Sequence, residues 1–303
     1  MKKILVVFLG LSILLSGCGT AMFAKPTPTA TITPPPPTST VVPSATPTVI
    51  PTATITPSPT AFLVFQGPKK VYVPIFLYHY IDVPPGDSEY YVSPEMFDRE
   101  MKLLHDWGYS TISTELLIKA INEGADLPPR PMLITFDDGH LDNYTNAFPI
   151  MKKYGFTGVL YIVANYMGAD QYMNIPQIQE MGAAGWEVGS HSVSHAELTK
   201  IDATRQRYEV VDSRVILEAN LDLPILTFAY PWGIGNSAVI DYVHYAGYIG
   251  AMGLGYTYDQ GSSNLYTLQR RGISGKLNIQ QFADLLPWKG DPAQIPTEIP
   301  PTP

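Results

Sequence analysis

An α/β fold built on a parallel sheet is what this sequence predicts, and two observations predict it. Between residues 69 and 288, short apolar runs of strand length alternate with amphipathic stretches of helical period. The conspicuous polar residues, a carboxylate pair and a histidine pair among them, fall where those apolar runs end. In α/β barrels the C-terminal ends of the strands carry the chemistry. The alternation does not say whether the sheet is open or closed into a barrel, and no internal repeat is evident.

The elements follow in order. Residues 71–80 read as a strand. Ser93-Pro94 then opens a helix, a capping side chain followed by proline at the first helical position, with Phe97, Met101 and Leu104 on one face and Gly108 as its stop. A second helix runs over 113–124, with Leu116, Leu117, Ala120 and Ile121 inward. Met132-Leu133-Ile134-Thr135-Phe136 is a buried-strand signal leading straight into Asp137-Asp138-Gly139. The pattern continues as helix 143–154, strand 158–163, helix 175–184 and strand 186–190, which ends on His191. Helix 203–220, strand 225–230 and helix 237–246 complete it. Asp142 is expected to cap the helix after it, and His105 and His244 to be structural or exposed within helices.

The ends of the chain have a different character. Eleven of the 29 prolines lie between Pro26 and Pro59, and six more between Pro287 and Pro303. The body is therefore read as 69–288, followed by a disordered proline-rich tail over 289–303. Lys2 and Lys3 precede a twelve-residue apolar run over 4–15. Spanning a bilayer takes about 20 such residues, so the run reads as an export signal rather than a transmembrane helix. It ends in Leu15-Ser16-Gly17-Cys18, which resembles the lipobox of bacterial lipoproteins and implies a signal peptide over 1–18 and acylation of Cys18. That would anchor the protein to the membrane on its extracytoplasmic side. Cys18 is the only cysteine, so the mature body needs no disulfide. From Pro26 to Pro68 there is no charged residue, and the linker over 19–68 favours extended polyproline II. At ~3.1 Å per residue it could reach on the order of 100–150 Å. A formal charge of −8 with no basic stripe argues against a nucleic-acid partner.

Each chemical signal is weak alone. Asp-Asp-Gly is an ordinary turn, and His191-x-x-x-His195 is a spacing that puts two imidazoles on one face of a helical turn, as shared metal ligation needs. Their order raises the odds: a strand-end carboxylate pair, then a histidine pair after the next strand but one. Here the sequence resembles the polysaccharide deacetylases of carbohydrate esterase family 4, the NodB-homology domain. The resemblance rests on Thr135-Phe136-Asp137-Asp138-Gly139, on Gly189-Ser190-His191-Ser192-Val193-Ser194-His195, and on Phe228-Ala229-Tyr230-Pro231-Trp232-Gly233. It implies a distorted (β/α) barrel of about seven strands and a hydrolase removing acetyl groups from a polysaccharide. It also implies a divalent metal, zinc above all, on Asp138, His191 and His195, with Asp137 as general base and the Tyr230 backbone N–H as oxyanion donor. Tyr230 and Trp232 are candidates for an aromatic wall against a sugar ring, with core packing the plainer reading.

The sequence departs from the family pattern in two places. The arginine that often pairs with the base is replaced by Ala229; Arg270 is the candidate substitute, with Arg271 the alternative. The late Leu-x-His motif that supplies a general acid is missing. In the circularly permuted branch that strand opens the domain, and Phe76-Leu77-Tyr78-His79-Tyr80 fits it, which makes His79 the candidate acid. His140, beside the first motif, is open to two readings, lining the cleft or facing solvent, and is left outside the site. Three activities stay open: N-deacetylation of a GlcNAc-containing glycan, O-acetyl esterase action on xylan or other wall sugars, and glycan binding by an inert cleft.

Overall fold

The computed structural model describes residues 62–296; the expected leader with Cys18, the linker up to residue 61 and residues 297–303 lie outside that part. Seven strands form a closed parallel barrel: β1 (Ile75–Tyr78), β2 (Pro131–Phe136), β3 (Val159–Ile162), β4 (Glu187–Ser190), β5 (Thr227–Ala229), β6 (Gly250–Leu254) and β7 (Leu268–Gly272). Each strand pairs with the next in sequence, and β7 pairs with β1 to close the ring. Helices cover the outside: α1 (Pro94–Asp106) and α2 (Thr114–Glu123) before β2, α3 (Phe148–Lys153) before β3, and α4 (Ile175–Ala183) before β4. Then come α5 (Ala203–Arg207) and α6 (Ser213–Leu221), α7 (Ser237–Tyr245), and α8 (Ile279–Leu285) after the last strand. No helix among the described residues is long and apolar enough to cross a membrane.

β1, β2 and β3 read as near-continuous apolar runs because both of their faces are buried. Alternation sorts the strand residues. Ile75, Leu133, Val159, Tyr161, Ala229, Met252 and Leu268 fill the barrel interior, whereas Phe76, Tyr78, Ile134, Phe136, Leu160, Val188 and Phe228 pack outward under the helices. Carried one step past each strand, the inward set delivers His79, Asp137 and His191 to one mouth of the barrel. Gly189 is inward too, and a Cβ there would lie 2.3 Å from the Tyr161 ring, so the glycine makes room for that side chain.

The caps behave as expected. Ser93 Oγ accepts from Met96 N at 3.2 Å to start α1, and Ser113 Oγ accepts from Leu116 N at 2.9 Å to start α2. Four expectations need correction. Residues 71–80 split into Lys70–Tyr72, which pairs antiparallel with Asp259–Gly261 outside the barrel, and β1, with Pro74 between them lacking an N–H. The helix expected over 143–154 begins as a π-turn, Asn143–Ala147, because Pro149 cannot donate to the preceding turn. A second π-turn, Tyr208–Asp212, interrupts the helix expected over 203–220. Asp142 makes no capping bond; its Oδ1 accepts from Ile81 N and Asn143 Nδ2, both at 2.8 Å, and so ties down the segment after β1. Strands β6 and β7 had no clear signal of their own: β6 carries two glycines, and β7 has one apolar residue, Leu268.

Candidate active site

β2 and β7 build the first half of the site. Asp137 leaves the end of β2 pointing inward, anchored by its N–H to Tyr78 O at 3.0 Å. Arg270, 1% exposed, comes from the middle of β7 and meets it with two parallel bonds, Nη1 to Oδ1 at 2.6 Å and Nη2 to Oδ2 at 2.8 Å. Nη1 also donates to Thr135 Oγ1, Nε donates to Gly253 O, and the guanidinium lies 5.2 Å from the Tyr161 ring centre. Burial alone would raise the Asp137 carboxyl, but Arg270 and His191 overcome it and hold the group below its ordinary value. Arg270 is thus the cation beside Asp137. Arg271 instead lies over the Tyr256 ring, 5.6 Å from its centre.

Asp138 supplies the second half. Its backbone is left-handed, φ 71°, which swings the side chain toward the histidines. Its Oδ1 is buried without a hydrogen-bond partner, 3.6 Å from His191 Nε2 and 3.4 Å from His195 Nε2. Ligand atoms of the three residues all lie within 4.8 Å of one another. His191 Nδ1 is 2.8 Å from Ala229 O, which places its proton there and leaves the Nε2 lone pair facing Asp138. Burial, with His191 beside it, holds His195 below its ordinary value, and so favours the neutral, ligating imidazole. An orphaned carboxylate oxygen facing two imidazole nitrogens is the donor set a divalent cation takes, and three ligands leave a position open. The two histidines are not on a helical turn as their spacing suggested. They flank an irregular loop in which Ser192 (φ 67°) and His195 (φ 59°) are left-handed.

His79 follows β1 at the same mouth. Asn143 Nδ2 holds its carbonyl at 2.8 Å, and its ring meets Tyr90 edge-on at 5.1 Å. Burial lowers its pKa, against the opposing charges of Asp137 and Asp138. A cavity of about 430 Å³ opens beside it, lined by Leu77, Tyr90, Leu254, Tyr256, Arg270 and Ile273 among others. His140, left out of the site on sequence grounds, belongs to it. It is 2% exposed, its Nε2 lies 3.3 Å from Asp138 Oδ2, and it is sandwiched between Tyr80 (3.7 Å) and Tyr172 (5.0 Å). It follows a turn, where neither strand nor helix period applies, so no pattern pointed to it.

The expectation for Tyr230 needs correction. Ala229 faces into the barrel, so Tyr230 faces out; it is 1% exposed, and its hydroxyl donates to Tyr266 O at 2.9 Å. Its N–H is taken by Met252 O at 3.1 Å, so it is neither an aromatic wall nor a free donor. Trp232 is 62% exposed, with its ring 5.4 Å from His195 and its backbone left-handed at φ 63°.

The polysaccharide deacetylase family profile matches residues 124–251, the stretch that holds Asp137, Asp138, His191, His195 and Trp232. The chain is 28% identical over 226 residues to YxkH of Bacillus subtilis strain 168, classed by name with the polysaccharide deacetylases, covering 73% of this chain and 78% of that protein. Among solved structures, the Streptococcus pyogenes deacetylase PplD, in complex with acetate, superposes with a TM-score of 0.66 at 26% identity, covering 73% of this chain and 99% of that one.

The chain carries a polysaccharide deacetylase domain. A more distant relative is the poly-β-1,6-N-acetyl-D-glucosamine N-deacetylase of Staphylococcus aureus, 27% identical over 177 residues, which covers 53% of this chain and 60% of that protein. Within the deacetylase domain, His79 and Arg270 lie outside the segment matched by the family profile. The barrel brings them back to it, because β1 and β7 are neighbours in the ring.

Proposed function

We propose that this deacetylase domain is a metal-dependent hydrolase that removes N-acetyl groups from a GlcNAc-containing polysaccharide outside the cytoplasm. The observation that carries the reading is the buried Arg270–Asp137 pair set beside an unpartnered Asp138 oxygen that faces His191 and His195. Asp138, His191 and His195 would hold a divalent cation, with zinc favoured by the two imidazoles. Bound there, it would supply Lewis-acid polarisation of the acetyl carbonyl and make a water easier to deprotonate. Asp137, kept ionised by Arg270, takes the proton from the attacking water. His79, which follows the strand next to the one that leads to Asp137, delivers a proton to the leaving nitrogen. The Trp232 N–H, free of any protein acceptor among the described residues, takes over as oxyanion donor from the occupied Tyr230 N–H. Its exposed ring offers a face to a sugar.

Two finer readings go with this. The domain is circularly permuted, with the strand that leads to His79 brought to the front, a move that the closed ring allows because β1 is the neighbour of the last strand. Cys18 anchors the protein to the outer side of the membrane, which a Cys18→Ser variant released into the soluble fraction would bear out.

The deciding experiment measures acetate release by the protein lacking residues 1–18 on acetylated chitooligosaccharides, poly-N-acetylglucosamine, peptidoglycan fragments and acetylxylan. Each is assayed with and without a chelator. Release from the amide substrates that the chelator abolishes is expected. Release from acetylxylan alone would make the domain an O-acetyl esterase, and release from none would leave it a binding module.

A further inference from the structure

We propose that Glu209 is a positioning residue for the metal centre, its carboxylate clamping the loop that carries His191 and His195. The inference rests on the reading of Asp138, His191 and His195 as that centre.

The loop between the two histidines cannot hold itself. It contains no helical or strand ladder, and both Ser192 and His195 are left-handed, a conformation that non-glycine residues adopt only when their surroundings impose it. Ser192 Oγ accepts from His195 N at 2.9 Å, which tightens the turn locally. The loop carbonyls are tied on one side, where Ala164 N donates to Ser192 O and Asn165 N to Val193 O. Its central N–H groups have one acceptor between them. Glu209 Oε2 accepts from Val193 N at 3.0 Å and Ser194 N at 2.8 Å, and Oε1 accepts from Ser194 Oγ at 2.6 Å. Val193 and Glu209 are both fully buried, so without this carboxylate water would not readily replace it.

The charge on Glu209 is itself matched. Arg205 Nη2 lies 2.6 Å from Oε1 and donates to Ser194 Oγ at 3.1 Å, closing a ring of three side chains behind the loop. The π-turn Tyr208–Asp212 puts Glu209 there: the extra residue per turn directs its side chain at the loop rather than along the helix. Arg205 is half exposed, so an ion pair alone would give little reason to bury the carboxylate; three loop donors do.

The test compares Glu209→Gln and Glu209→Ala with the parent protein in two measurements. One is the zinc dissociation constant by competition with a chromophoric chelator; the other is amide hydrogen exchange at Val193 and Ser194 in metal-free protein. Glutamine keeps the size and one acceptor oxygen but turns its amide NH₂ toward Arg205, so it guards against an alanine variant that fails to fold. Outer-sphere partners of metal ligands typically contribute about 10–100-fold in affinity. Glu209→Gln should weaken zinc binding within that range and speed exchange at both amides. Glu187→Gln is the control: Glu187 is a partly buried carboxylate that accepts Thr114 N at 2.8 Å at the opposite end of β4, and its loss should change neither readout. A folded Glu209→Gln protein with unchanged zinc affinity and unchanged exchange would overturn the proposal. If the parent protein takes up no zinc, the metal-centre reading falls, and unchanged exchange at the two amides would then overturn the clamp by itself.

Discussion

Arg270 holds Asp137 across the barrel mouth with bonds of 2.6 and 2.8 Å, each side chain being almost completely buried. The pair does two things at once. It fixes the orientation of the carboxylate, and it keeps ionised a group that burial would otherwise protonate. A domain with alanine at 229 therefore obtains from its last strand the charge that it lacks at the end of β5.

Arg270→Lys is expected to keep the fold and lose the two-pronged grip, because an ammonium is a point charge. With the fork gone, burial weighs more heavily on Asp137 and its pKa rises. A base must be deprotonated to act, so the acid limb of the kcat/KM profile should move to higher pH, with turnover at neutral pH down ~10²-fold or more. An unchanged acid limb would detach Arg270 from the base.

The ligand set and the base separate by metal content. Asp138→Ala, His191→Ala and His195→Ala should each lose bound metal together with acetate release, read by elemental analysis and by assay. Asp137→Asn should retain metal and fold while losing ~10²–10⁴-fold in turnover, the scale of a general base. Stoichiometric metal in all three ligand variants would dismantle the assignment.

A pH effect on stability is expected from outside the site. Glu100 on α1 is fully buried; its Oε2 accepts from Tyr78 OH at 2.9 Å, and its Oε1 has no partner. Burial raises its pKa from 4.5 to about 8. Because the folded value lies above the unfolded one, the folded state binds the extra proton between them. The stabilisation is complete below pH 4.5 and disappears as pH rises through about 8. Glu100→Gln removes the titration, so its melting temperature should fall less than that of the parent protein between pH 5 and 9. Parallel melting curves for the two would exclude Glu100 as the source.

Strand parity explains what the sequence made legible and what it hid. Inward positions on β1, β2 and β4 run Ile75–Leu77, Leu133–Thr135 and Gly189, and the next inward residues are His79, Asp137 and His191, so apolar runs and motifs pointed the same way. Tyr230 was misread because Ala229 occupies the inward position, and the same parity sends Tyr230 into the outer layer. Arg270 lies on a strand with almost no apolar signal, so its pairing was suggested by family resemblance rather than by pattern. His140 showed only its place beside the first motif, and Glu209 gave no signal at all. One follows a turn and the other lies in a π-turn, and each gains its place from contacts with residues distant in sequence.

The proton donor is the last test. An amine leaves poorly unless it is protonated as the C–N bond breaks, so amide hydrolysis needs an acid that ester hydrolysis can do without. His79 is placed for this: it follows β1 at the barrel mouth, Asn143 fixes its backbone, and it lines the cavity that Arg270 also lines. Burial sets its pKa below the ordinary value, against the pull of Asp137 and Asp138, so the imidazole gives up a proton readily once it holds one. His79→Ala should retain metal and lose most N-deacetylation. It should be far less damaging on an aryl acetate, whose leaving group departs as a stabilised anion without a proton. The measurement is the ratio of the two rates in variant and parent, at equal metal content. A large fall in the amide-to-ester ratio assigns His79 as the acid. An equal loss on both substrates would mean that His79 acts before the leaving group departs, in holding the substrate or the attacking water.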